Sequence, residues 1–343
     1  MGKANSLVHP LAMQWAMTTK ILGIAAVMIV LLVVLCFAAD DTAPECLPVL
    51  LAYGFQPIPG YYPPQLWPEF AEGLSGTEIG TASKILLEPG HVMYMVEAAS
   101  DEDRTVYISD YAVPYEPTVR DLRFYASRLD DEIAWIIEQR DVEQVDVIGH
   151  SMGGLVARAY IEAADFDPLL GSSDFPDYET VYRGDVRILI TLATPHHGAA
   201  FGVLGPWFGP LPQQLAVGSR FLQALNRMEG SGVATALDPG VRYVSMAGQS
   251  CLGFGCSIRG DADACRRECV HEALLWEGHD LIIKMASAYL PGAENVACIG
   301  MDHADMHLHD ALIEPIRDIL RGEPAPEALY GTAELRRAGE GEP

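Results

Sequence analysis

Apolar residues along this chain gather in short runs at 47–52, 105–110, 145–148, 186–192, 241–246 and 295–300. Runs of that length, bounded by Gly, Pro, Asp or Asn, read as strands with both faces buried. Between the second and third runs the pattern changes. Leu122, Tyr125, Leu129, Ile133, Ile136 and Ile137 recur every three or four residues, which predicts a helix ending near Arg140. Residues 311–320 predict a closing helix. Strand and helix in alternation predict an α/β fold, a mostly parallel sheet with helices on both faces. The stretch 56–90, rich in Pro, Gly, Tyr and Trp, shows little periodicity and predicts loop with one short helix.

The ends of the chain follow other patterns. Residues 1–20 carry Lys3 and Lys20 but no acid, and residues 21–39 carry no charge at all. Twelve of those nineteen are Leu, Ile, Val or Phe, which favours membrane insertion by about 4–7 kcal/mol. As a helix the segment would reach about 28 Å, close to the hydrocarbon thickness. Lysines before it and Asp40, Asp41 and Glu45 after it predict a cytoplasmic leader and an extracytoplasmic remainder. Cys36-Phe37-Ala38 is a passable cleavage site, so an N-terminal membrane anchor and a removed signal both stay open. A folded domain is expected over 40–322, and a disordered acidic tail over 323–343.

Length and composition sharpen this. Half of the 343 residues are apolar, enough for a large single core. The formal charge of -25 excludes a nucleic-acid partner, because nothing here neutralises phosphate. Beyond the apolar segment lie Cys46, Cys251, Cys256, Cys265, Cys269 and Cys298. Their C-x4-C and C-x3-C spacings are poor zinc patterns. In an exported protein, disulfides among all six are the expectation.

The chemistry centres on Val145-Asp146-Val147-Ile148-Gly149-His150-Ser151-Met152-Gly153-Gly154. A strand that turns at once into a helix forces the central Ser of G-x-S-x-G into a strained conformation, with Oγ at the tip. Gly149-His150-Ser151-Met152-Gly153-Gly154-Leu155-Val156-Ala157-Arg158 resembles the nucleophile segment of lipases in the α/β-hydrolase superfamily. Thr194-Pro195-His196-His197-Gly198 is similar to the T-P-H-x-G segment of those enzymes. The resemblance runs from about Leu47 to Leu320. It implies an α/β-hydrolase fold with a lid-like insertion over 201–232, of which Leu215 to Leu225 reads equally well as a core helix. The four cysteines between Cys251 and Cys269 mark a second insertion over 248–279.

It also implies roles. Ser151 would be the nucleophile. Asp280 stands where the family's segment "D-G-x-V-P … S-A … L-P-G-A" supplies the triad acid, and His303 follows the last strand, where the base belongs. Backbone N–H groups of Met152 and Phe55 would form the oxyanion hole, Phe55 closing a Tyr53-Gly54-Phe55 version of the family's H-G-x. His307 and His309 are rivals for the base. His196 and His197 read as shaping the loop beside the site. No cofactor or metal is implied, since water completes the reaction. The expected activity is cleavage of lipid-like carboxylic esters. The same triad would serve an acyltransferase or a specialised lipid deacylase, and a silent membrane-anchored binding protein is the rival from another class.

Overall fold

The computed structural model describes residues 46–54, 67–110, 122–162, 180, 182–199, 213–226, 237–251 and 262–340. The expected strand at 47–52 forms β1 (Val49–Ala52), every residue of which is buried. It is followed by α1 (Pro68–Ser75), β2 (Ser83–Glu88), β3 (His91–Val96) and β4 (Val106–Asp110). Next come α2 (Leu122–Arg140), β5 (Val145–His150), α3 (Met152–Ile161), β6 (Val186–Leu192) and α4 (Arg220–Leu225). The remainder comprises β7 (Arg242–Gln249), α5 (Ala262–Leu274), α6 (Met285–Ala288), β8 (Glu294–Ile299), α7 (Ile313–Leu320), β9 (Ala328–Tyr330) and α8 (Ala333–Glu340). Among the described residues these strands make one sheet in the order β2-β3-β4-β1-β5-β6-β7-β8-β9.

From β4 across to β9 neighbouring strands run parallel, while β2, β3 and β4 pair antiparallel. The α/β reading of the hydrophobic pattern therefore holds, including the α2 boundary at Arg140. The stretch 56–90 differs: it contributes α1 but also β2, and β3 follows directly. Their Lys84, Glu88 and His91 interrupt the apolar runs that betray the central strands.

Alternate residues of β1 show how the sheet divides the core. Leu50 and Ala52 face a cluster with Leu129, Ile133 and Ile136 of α2 and Leu155 and Val156 of α3. Val49 and Leu51 face the other side, with Phe70 and Leu74 of α1 and Ile316 and Ile319 of α7. Each fully buried Val, Leu, Ile or Phe among them contributes about 1.5–3 kcal/mol of hydrophobic stabilisation. At the amino edge, the Asp146 carboxylate is buried between Arg104 (2.9 Å) and Arg187.

Two expectations are corrected here. Residues 323–343 are not a disordered tail over their described part. Ala328–Tyr330 extend the sheet by pairing with β8, and Leu335 of α8 is buried in a third apolar cluster. A three-residue edge strand and one anchoring leucine are enough to order a segment whose composition suggests solvation. The six cysteines are not all paired either. Cys251 and Cys269 form a disulfide and Cys265 is also disulfide-bonded, but Cys46 and Cys298 are free thiols. Cys298 lies inside β8, fully buried, and acts as a small core residue.

The described part of the lid-like insertion, 213–226, packs as core: Phe221, Leu222 and Leu225 join the α2–α3 cluster. The rest of 201–232 lies outside the described residues, as does 252–261 of the cysteine insertion. Among the described residues no helix is long and apolar enough to cross a membrane. The leader and the apolar stretch 21–39 lie outside them.

Candidate active site

Ser151 sits between β5 and α3 with φ 54° and ψ -122°. A residue with a Cβ is held there at a cost of about 1–3 kcal/mol, and only over-determined surroundings sustain it. Those surroundings are visible. The Ser151 N–H donates to Leu192 O of β6 at 2.8 Å, so the neighbouring strand grips the turn. On the other side Gly54, just past β1, packs so closely that a Cβ there would lie 2.8 Å from the Ser151 Cβ. Met152 occupies the first turn of α3, where a backbone N–H has no intrahelical partner and the helix dipole favours negative charge. Phe55 lies outside the described residues.

Asp280 and His303 come together at the same carboxyl edge of the sheet. His303 Nδ1 lies 2.7 Å from Asp280 Oδ2. The His303 N–H also donates to Asp280 O, at 2.9 Å. The carboxylate is itself oriented, its Oδ1 accepting the N–H groups of Ile282 (2.9 Å) and Ile283 (2.5 Å). Asp280 is buried. With Nδ1–H donating to the carboxylate, Nε2 of His303 is left with its lone pair. The Asp280–His303 pair is tied to the strand that carries Ser151 through the residue before that serine: His150 Nε2 lies 2.9 Å from His303 O.

The two rivals fall elsewhere. His307 lies in a short 3-10 turn, and its buried ring stacks on His150 at 4.3 Å and meets Trp67 at 5.7 Å and Tyr53 at 5.6 Å. It is a wall behind the site and does not lie exposed on a helix. His309 accepts the Ala311 N–H through Nδ1 (3.2 Å) and caps the next turn.

His196 is buried with both ring nitrogens engaged. An Arg can only donate, so His196 Nδ1 accepts from Arg158 (3.3 Å) and its Nε2–H donates to Thr191 Oγ1 (3.1 Å). Arg158 also grips Glu162 with both arms (2.9 and 3.0 Å) and reaches Asn226 Oδ1 (3.0 Å), whose amide holds His196 O (2.8 Å). This buried network fastens α3 to the 194–198 loop and to the end of α4. Arg158 was legible only as part of a motif, because its partners His196 and Asn226 lie 38 and 68 residues away.

Burial, followed by nearby positive charge, keeps three histidines neutral. His150 and His196 are held well below the ordinary imidazole range, and His307 is lowered to about 4. The unfolded chain titrates these groups near 6.5, so between about pH 6.5 and 4 it binds protons that the fold excludes. That stability is present in full above pH 6.5 and is lost as pH falls through this window. Glu132 and Asp146, raised by burial, act in the opposite sense, so a difference measurement isolates the histidine. Relative to its parent, His307→Phe should gain up to about 1.4 kcal/mol for each pH unit of acidification below 6.5. Thermal melts of the pair at pH 7.5, 6 and 5 check this. A constant gap would contradict it.

Comparison with known proteins agrees with this fold. Residues 87–235 match the family described as "Putative serine esterase (DUF676)". No curated protein matches the sequence. Among solved structures, the mature lipase BlEst2 of Bacillus licheniformis superposes with a TM-score of 0.50 at 17% identity, over 82% of this chain and 94% of that one. Its propeptide form gives 0.50 at 16% identity, over 81% and 51%. A gene product of Listeria innocua gives 0.47 at 15%, over 83% and 99%. Sheet order, the turn at Ser151 and the likeness to solved structures together show the α/β-hydrolase fold, and residues 87–235 are similar to a family of serine esterases.

Proposed function

We propose that the chain is a serine-dependent carboxylic ester hydrolase acting on lipid-like esters. The observation that carries the reading is the Asp280–His303 pair docked one residue from a strained Ser151. In this reading His303 Nε2 takes the Ser151 proton as Oγ attacks the acyl carbonyl. The Asp280 carboxylate holds the imidazole tautomer and stabilises the imidazolium. The Met152 N–H and that of Phe55 receive the oxyanion. His303 then protonates the departing alcohol. Water, deprotonated by the same imidazole, releases the acid and restores Ser151.

Apolar surface beside the acid supports a lipid-like acyl or alcohol group. Leu281 and Ile282, which follow Asp280, are 57% and 48% exposed. Adjacent large aliphatic side chains left in water beside a reactive group suit the binding of an apolar ligand. The disulfide bonding of Cys251, Cys265 and Cys269 supports an exported location, with residues 21–39 as anchor or signal.

A fluorophosphonate probe tests the assignment directly. Ser151 should be the labelled residue, and Ser151→Ala should lose both labelling and hydrolysis of p-nitrophenyl esters. A labelled, active Ala variant would remove Ser151 from the chemistry. A series from acetate to palmitate should then show kcat/KM rising with chain length.

A further inference from the structure

His150 is the last residue of β5, immediately before Ser151, and its ring is almost wholly buried. Its Nε2 lies 2.9 Å from the main-chain oxygen of His303, 153 residues away in sequence. A carbonyl oxygen can only accept, so Nε2 carries the proton and His150 is the donor. Nδ1 is then bare, and it has no hydrogen-bond partner. It faces Gly54, where an added Cβ would lie 3.4 Å from it. The ring is wedged against His307 at 4.3 Å, His303 at 4.8 Å, Tyr53 at 5.8 Å and Trp67 at 6.2 Å. Burial and the neighbouring histidines keep it uncharged.

The hydrogen bonds of His303 divide into two kinds. Its Nδ1–H and its N–H both go to Asp280. They make His303 and Asp280 one unit but say nothing of where that unit stands relative to the nucleophile. The bond from His150 crosses from this unit to the strand that carries Ser151. We infer that His150 is a positioning residue, whose Nε2–H to His303 O sets the reach between the His303 imidazole and Ser151 Oγ. The inference rests on the Ser151, His303 and Asp280 reading given above. It adds a residue that the G-x-S-x-G pattern leaves as its variable position.

Losing the donor would let the dyad drift from the elbow. A misplacement of about 1 Å typically costs about a hundredfold in rate. His150→Leu should therefore lower kcat for p-nitrophenyl butyrate about a hundredfold with KM little changed. His150→Gln, whose amide can place a donor where Nε2 stood, should recover most of that loss. A role confined to packing predicts the reverse order, with Leu the milder change.

A double-mutant cycle makes the test specific. In a His303→Ala background, His150→Leu should cost no further activity, because there is no imidazole left to position. Equal losses in both backgrounds, or unchanged kcat in a folded His150→Leu, would overturn the inference. Should His150→Leu fail to fold, nitrogen-15 NMR of the unsubstituted protein decides the matter: His150 must be the Nε2–H tautomer, and an Nδ1–H signal refutes the bond. Fluorophosphonate labelling of Ser151 in the parent protein is the separate control. Its absence would sink the triad, whereas labelling with normal His150→Leu kinetics would sink only His150.

Discussion

His303→Ala is expected to lower kcat for ester hydrolysis by about four to six orders of magnitude, the range seen when a serine hydrolase loses its base. KM should stay near its parent value. The Nδ1 of this imidazole is committed to Asp280, at 2.7 Å, which in the proposed reaction leaves Nε2 for the nucleophile. Without it, Ser151 keeps its strained perch and the N–H groups beside it, so residual activity above the water reaction should survive. His307→Ala is the informative comparison. Its ring packs on His150, Trp67 and Tyr53, and truncation leaves a cavity that destabilises the fold by about 2–4 kcal/mol. Yet that ring makes no contact with Asp280, so activity of the folded fraction should fall far less. Measured kcat values corrected for active-site titration separate the two. An inert His307→Ala beside a nearly normal His303→Ala would move the base by one turn.

What could be read from the chain follows the range of the forces involved. The elbow is a local object: strand, Gly, Ser, Gly and helix are contiguous, and the backbone at Ser151 adopts the strained conformation that the motif demands. The central strands are equally plain, since burial on both faces leaves unbroken apolar runs. Asp280 and His303 were legible through motif resemblance and chain order, and the sheet brings them together across 23 residues. Edge structure was not legible. β2 keeps Lys84 and Glu88, and β9 is three residues of moderate burial, because an edge strand needs only one partner. The cysteine count misled for a similar reason. Cys298 reads as half of a pair in composition, but its position in β8 leaves it no neighbouring thiol among the described residues. His150 escaped notice because its meaning lies 153 residues away.

Gly153→Ala is the second large effect expected, and it tests the geometry of the elbow without touching a titratable group. Gly153 is in the first turn of α3 where that helix passes β1. A Cβ there would stand 2.1 Å from Ala52 O and 2.7 Å from Tyr53 O. Neither obstacle is the movable end of a side chain. Ala52 is the last residue of β1, paired with Gly149 in the sheet, so relief requires the strand or the helix to move by about 1 Å. Overpacking a tight site typically costs about 1–3 kcal/mol, occasionally more, and backbone obstacles put this one at the upper end. In a folded domain of this size that corresponds to a loss of about 5 °C in Tm. The same displacement shifts the Met152 N–H and the segment after β1 relative to Ser151; in the proposed reaction loss of one oxyanion donor costs about a hundred- to thousandfold in kcat. Gly80→Ala supplies the control, since nothing lies within 4 Å of its added Cβ. It should leave Tm and kcat almost unchanged. If Gly153→Ala melts within 2 °C of its parent and keeps its turnover, then α3 and β1 do not approach as closely as the distances state, and the elbow is looser than its sequence demands.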